Sequence, residues 1–256
     1  MKAVVSKNEI NRRCTRLMCK KNPKTKSPHI GLEFEFFTQA DKYTILKNLS
    51  KAGLHNYCYL TTDHSIDADD CCSENCWEIC VLVSQMSCSR ILKKVISCLK
   101  KIKAKVNNTC GLHIHLDCRK ITNRNPEKVF LSLIKMQKIL FNFCPQRMNN
   151  HYCQFAYFNL FNDALYSSRY YAINASAYEK YKTIEVRLLH GTLNLDEIES
   201  FINCLKFAVY NAENIKSLMA SNVNFEWNTN HILNDKKFIK PKTKEFLQKV
   251  FPNPKL

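Results

Sequence analysis

Hydrophobic positions change their period several times along the chain, and each change marks an element. In "HIGLEFEFF", Leu32, Phe34 and Phe36 alternate with Glu33 and Glu35, the period of a strand with one apolar face. "DKYTILKNLSKAGL" then takes helical spacing and stops near Gly53, and "HNYCYLTT" reads as a second strand. "NCWEICVLV" has the composition of a third. Between 87 and 106 the period lengthens: Ile91, Leu92, Val95, Ile96, Leu99 and Ile102 form one helical stripe, with Lys93, Lys94, Lys100, Lys101 and Lys103 around it as a solvated face. "CGLHIHL" is a short strand. Asn125 and Pro126 offer an N-cap and first turn for a helix that ends before Pro145, with Val129, Phe130, Leu133, Ile134 and Met136 inward. "YYAINAS" and "KTIEVRLL" look like paired strands separated by "AYEKY", and a last long helix is expected over 195–219. The sum is an α+β domain with a mainly antiparallel sheet and helices packed on one face.

Bulk properties add limits. A chain of 256 residues suits one large domain or two small ones. No apolar run approaches the ~20 residues of a membrane span, and the first residues lack the apolar core of a signal peptide, so a cytoplasmic protein is expected. The 14 cysteines sit mostly in apolar segments and read as reduced, buried thiols. Cys71, Cys72, Cys76 and Cys80 do not have the spacing of a zinc knuckle or ribbon.

The net charge of +17 is unevenly spread. Residues 1–28 hold nine Lys/Arg and one Glu, and residues 235–256 hold seven Lys against two acids. Such ends can touch nucleic acid or an acidic macromolecule, although only nine of the 39 basic residues are Arg, the type suited to bidentate phosphate contacts. A Lys-rich solvated periphery is the plainer reading. The division expected is a basic N-terminal segment over 1–28, a catalytic domain over 29–220 and a basic C-terminal segment over 221–256, packed on the domain or extending from it.

Four strands share an oddity: each places ionisable groups on one face. They are Glu33 and Glu35; Glu78, flanked by Cys76 and Cys80; His113, His115 and Asp117; and Glu185 with Arg187. Together they can build a polar sheet face whose carboxylates need cations. Carboxylate-rich ligation favours hard divalent ions such as Mg²⁺ or Mn²⁺, and an arginine among acids points to an anion, phosphate above all. The four glycines form neither a P-loop nor a dinucleotide fingerprint, so a nucleotide would be held by metal and basic side chains.

In order, "GLEFEF", "DHSI", "WEIC", "TCGLHIHLD", "RYYAIN" and "TIEVRLLHGTL" resemble the amidoligase family of carboxylate–amine ligases, relatives of glutamine synthetase and glutamate–cysteine ligase. The resemblance covers about residues 29–205 and implies a glutamine-synthetase-like fold, a curved sheet holding ATP and divalent metals on its concave face. It implies that Glu33, His113 and Glu185 surround one metal and that Glu35 and Glu78 hold a second, which orients the acceptor carboxylate. It makes Arg187 the group that stabilises the transferring phosphoryl, with His115 and Arg169 also on the nucleotide side. Arg169 and Asn174 fall in a substrate-facing stretch, and Asp63 and Ser65 match the family's "DGS" element and are expected with Asn174 among the substrate-binding residues. His64 departs from the family's usual glycine, and "WEICVLV" lacks the Ser-Pro that commonly follows the glutamate.

The implied activity is ATP-dependent amide or isopeptide formation through an acyl phosphate, joining a small-molecule, peptide or protein carboxylate to an amine. The polar stretch 146–168 is the candidate lid over that intermediate. Two other classes stand beside it. One is a zinc hydrolase using His113 and His115. The other is a catalytically inactive ligase fold that binds nucleic acid or protein. Asp117 suits a strand-end cap better than a ligand, and Asp67, Asp69 and Asp70 form an acidic loop without the features of an EF-hand.

Overall fold

A computed structural model describes residues 12–14, 29–67, 75–84, 86–119, 123–148, 150–157, 160–221 and 225–251. Most of the basic N-terminal segment, together with Cys71, Cys72, Asp69 and Asp70, lies outside these residues. Among these residues the architecture is α+β with six strands in antiparallel pairings. The chain divides into two compact units. One takes residues up to Leu112 with Gly191–Leu195, and the other takes His113–His190 with Asp196–Leu256.

In the first unit, β1 (His29–Phe37) pairs with β3 (Cys76–Ser84), and β3 pairs with β2 (Cys58–Thr62). Leu32, Phe34 and Phe36 stand opposite Val81, Ile79 and Trp77, giving the apolar face expected from the alternation. Helices α1 (Lys42–Lys51) and α2 (Cys88–Lys101) pack together, and α2 lies on β3. Asp41 caps α1 by accepting from the Thr44 amide at 2.7 Å. The α2 stripe of Ile91, Leu92, Val95, Ile96 and Leu99 is buried. Gly53, which follows α1, has φ 74°, a conformation that a side chain would strain.

Strand β4 (Gly111–Asp117) begins in the first unit and runs into the second. There, β5 (Ile173–Asn174) pairs with β6 (Thr183–His190). The Cys118 amide donates to the Lys182 carbonyl at 2.9 Å, tying the end of β4 to the start of β6. Helix α3 (Pro126–Phe143) packs on β5 and β6, its Asn125 cap accepting from the Lys128 amide at 3.1 Å. Short helices α4 (Phe161–Leu165) and α5 (Ala177–Tyr181) follow, then α6 (Leu195–Tyr210).

The long helix expected over 195–219 is broken. A 3₁₀ turn at Asn211–Asn214 separates α6 from α7 (Ile215–Ser221). Asn211 donates its side-chain amide to the Phe207 carbonyl at 3.0 Å, so this acceptor is shared with a side chain just where α6 stops. "YYAINAS" and "KTIEVRLL" do hold paired strands with "AYEKY" between them as a short helix, although the strand within "YYAINAS" shrinks to two residues. Asn174 ends that strand: its Oδ1 accepts from the amide and hydroxyl of Ser176, each at 2.8 Å, turning the chain out of the sheet.

The C-terminal segment packs as α8 (Thr229–Leu233) and α9 (Pro241–Val250). Trp227 donates to the Ser132 hydroxyl at 3.1 Å, and Phe143 meets both Phe246 and Phe251. No helix among the described residues is long and apolar enough to cross a membrane.

Candidate functional site

Register, more than sequence spacing, builds the polar face of the first unit. Residues directly opposite across antiparallel strands point the same way. Cys80 faces Glu33 on one side and Tyr59 on the other; Glu78 faces Glu35 and Thr61. Two transverse rows result, Tyr59–Cys80–Glu33 and Thr61–Glu78–Glu35. The Gly111 amide donates to Glu35 Oε2 at 2.6 Å, and Glu35 is buried. Asp63, just past β2, accepts from the Ser65 amide at 2.8 Å and hydroxyl at 2.7 Å, which fixes its carboxylate.

Glu35, Asp63 and Glu78 bring one oxygen each within 4.8 Å of the others, a spacing that can hold a metal ion. Glu33, Glu78 and Cys80 do the same with a sulfur in the set. Glu78 belongs to both groups. The Cys80 thiol donates to Glu78 Oε1 at 2.7 Å. Burial, then the charges of Glu78 and Glu33, push the Cys80 thiol well above its ordinary range. The Tyr59 phenol is pushed up by burial first, then by the neighbouring Cys80 and the charges of Glu33 and Glu78. Sequence spacing placed Cys80 beside Glu78 but gave no register, and Tyr59 carried no signal at all.

The second unit contributes polar groups of its own. Glu185, on β6, is buried and accepts from Arg187 Nη1 at 2.6 Å through one oxygen and from Asn174 Nδ2 at 2.7 Å through the other. His113 Nδ1 lies 3.6 Å from Glu185 Oε1. Arg187 also donates from Nε to the Tyr152 carbonyl at 3.2 Å, and Arg147 donates to the Arg187 carbonyl at 3.1 Å. The guanidinium is therefore held in place beside an acid, ready to meet an anion with little reorganisation.

The remaining expected residues are more dispersed. His115 contacts the Thr183 hydroxyl through Nδ1 at 3.0 Å and meets the Tyr181 ring edge-on. Arg169 is exposed and lies over the Tyr170 ring. Asn174, expected to face substrate, is buried and orients Glu185. Ser65 serves Asp63. Asp117 is buried and paired with Arg119 at 2.6 Å, in keeping with a role at the strand end. The stretch expected as a lid is tied down near its middle: Gln137 exchanges two hydrogen bonds with the main chain of Ala156, at 3.0 and 2.9 Å. Tyr157 and Tyr166 within it are largely exposed.

The chain matches no protein-family model and no curated protein.

Proposed function

We propose that the protein is an ATP-dependent carboxylate–amine ligase of glutamine-synthetase-like fold. The observation that carries this reading is the convergence of Glu35, Asp63 and Glu78, three carboxylates in ligand range of one another and braced by the Gly111 amide. Like charges brought so close call for a cation, and an all-oxygen donor set fits Mg²⁺ or Mn²⁺. Such an ion, when bound, supplies Lewis-acid stabilisation of phosphate oxygens.

The chain's own residues fill the remaining needs of the reaction. A carboxylate is activated by taking the γ-phosphoryl group of ATP, and ADP leaves; an amine then attacks the acyl carbon and gives up a proton to solvent, and inorganic phosphate leaves with the C–O bond electrons. Arg187, fixed by Glu185 and the Tyr152 carbonyl, is the cation for the transferring phosphoryl group. Asn174 and Arg187 together aim Glu185, and His113 stands beside it as a further metal ligand. Glu33 joins the ligand set through its row with Cys80. His115 and Arg169 are assigned to the nucleotide side, and Asp63 acts as a ligand held by Ser65.

The test is calorimetric titration of ATP, or a non-hydrolysable analogue, into the protein with Mg²⁺ or Mn²⁺, repeated on Glu78→Gln and Glu185→Gln. Metal-dependent binding that is lost in both variants supports the reading. A folded wild-type protein that binds no nucleotide with either ion sinks it.

A further inference from the structure

The basic residues of the first unit are segregated from its acids. From 42 to 62 and from 79 to 116 the chain carries ten Lys/Arg and no Asp or Glu. Helices α1 and α2 both fall in these stretches and pack against each other. Between them lies a cavity of about 430 Å³ lined by Lys51, Lys93, Lys94 and Lys101, with Asn48 and Ser97 adding neutral polar groups.

We propose that this groove binds the phosphate backbone of a nucleic acid. Four ammonium groups around one concavity repel one another, and a multiply charged anion relieves that repulsion. Lys94 is anchored by donating to the Ala52 carbonyl at 3.0 Å, which leaves its other protons for a ligand. Lys51, Lys93 and Lys101 are exposed. The charge extends past the cavity, through Lys47 on α1 and Arg90 and Lys100 on α2, so the partner is extended and not a single small anion. A 14-residue α2 is roughly 21 Å long, the rise of about six nucleotides of one strand.

Chemistry separates this occupant from others. Ammonium, amide and hydroxyl groups contact phosphate oxygens, and a single arginine on the two helices leaves little for base readout, so binding is independent of sequence. A membrane-seeking pair of helices would present a row of exposed apolar side chains, whereas α1 and α2 expose Tyr43 as their large hydrophobic. The site is separate from the carboxylate rows and does not depend on the ligase reading.

The experiment is fluorescence anisotropy of the full chain with a labelled 20-nucleotide mixed-sequence single strand, and with its duplex, between 50 and 200 mM salt. The groove variant is Lys51→Glu/Lys93→Glu/Lys101→Glu. A charge-matched control, Lys236→Glu/Lys237→Glu/Lys249→Glu, changes exposed lysines of the C-terminal segment. Circular dichroism checks that both remain folded. The groove variant should bind at least about 30-fold more weakly at 50 mM salt, with a log–log salt slope shallower by about two, while the control shifts less than about threefold. Equal losses in both variants, or an unaffected groove variant, would overturn the proposal. So would displacement of the strand by polyglutamate at equal charge concentration, or preferential capture of the protein by phosphatidylserine vesicles in a manner that needs the same lysines.

Discussion

Arg187 Nη1 lies 2.6 Å from Glu185 Oε1, an ion pair between two residues of one strand, with the carboxylate buried and its second oxygen occupied by Asn174. Side chains two apart on a strand share a face, so β6 alone specifies this pair. Its energetic weight comes from burial. Truncating Arg187 to Ala leaves Glu185 partly uncompensated and should destabilise by about 3 kcal/mol, measured by urea denaturation. Arg187→Lys should keep the charge and recover much of that stability. In the ligase reading it should still lose at least about 100-fold in turnover, followed as ADP release, because an ammonium cannot reproduce the fork.

Gln137 offers a purely structural test. It is fully buried on α3 and closes two hydrogen bonds with Ala156. Gln137→Ala strands an amide and a carbonyl inside the protein and opens a cavity, so a cost of about 2–4 kcal/mol is expected. Hydrogen exchange should quicken at Ala156 and its neighbours before it does at β6. Uniform quickening would show that Gln137 does not tether that segment in particular.

Gly191 follows β6, where a side chain has no room: an added Cβ would sit 2.6 Å from Cys110 Cβ and 3.2 Å from the Cys110 carbonyl oxygen. The Gly191 amide meanwhile donates to that same carbonyl at 2.8 Å, which holds the backbones close. Gly191→Ala should cost about 1–3 kcal/mol, seen as a drop of several degrees in Tm. An unchanged Tm would mean that the two backbones separate freely.

Stability should fall in alkali. Burial pushes Cys110 up to about 11, and Cys118 and Cys144 up to about 12. A thiol whose folded pKa exceeds its unfolded value, near 9, contributes stability that is complete below that value. As the pH rises toward the folded value the unfolded chain releases the proton first, and stability drops by about 1.4 kcal/mol per pH unit for each thiol. Urea midpoints at pH 7, 8 and 10 should be level over the first interval and fall over the second. A midpoint that holds to pH 10 would contradict the burial of these thiols.

Alternation made the charged strands legible: Glu33, Glu35, His113, Glu185 and Arg187 all lie on strands whose other face is apolar. The helix cap at Asn125 was legible too, because capping is a local interaction. Cross-strand register was not. Nothing in "CYLTT" or "CWEIC" alone says that Tyr59 faces Cys80 or that Glu78 faces Glu35, since register is set by turns and by packing of the whole sheet. The break after Tyr210 and the short β5 depended on Asn211 and Asn174, whose side chains compete with backbone bonding in ways that hydrophobic period does not record. Charge counts taken over the two ends did not bring out that helices α1 and α2 hold no acid.

Glu78 sits in two donor groups, one built of oxygen only and the other containing the Cys80 sulfur. In the ligase reading, the site for a hard ion therefore has a flank that a soft one can seize. Thiolate ligation strongly favours zinc or cadmium over magnesium, so trace amounts of either should outcompete a large excess of the hard ion and draw Glu78 away from Glu35 and Asp63. Cadmium should displace bound Mn²⁺ at low micromolar concentration, read by electron paramagnetic resonance, and Cys80→Ser should resist it. On that reading the polar face carries a built-in susceptibility to poisoning, and the protein's working state would depend on how well its surroundings keep thiophilic metals scarce.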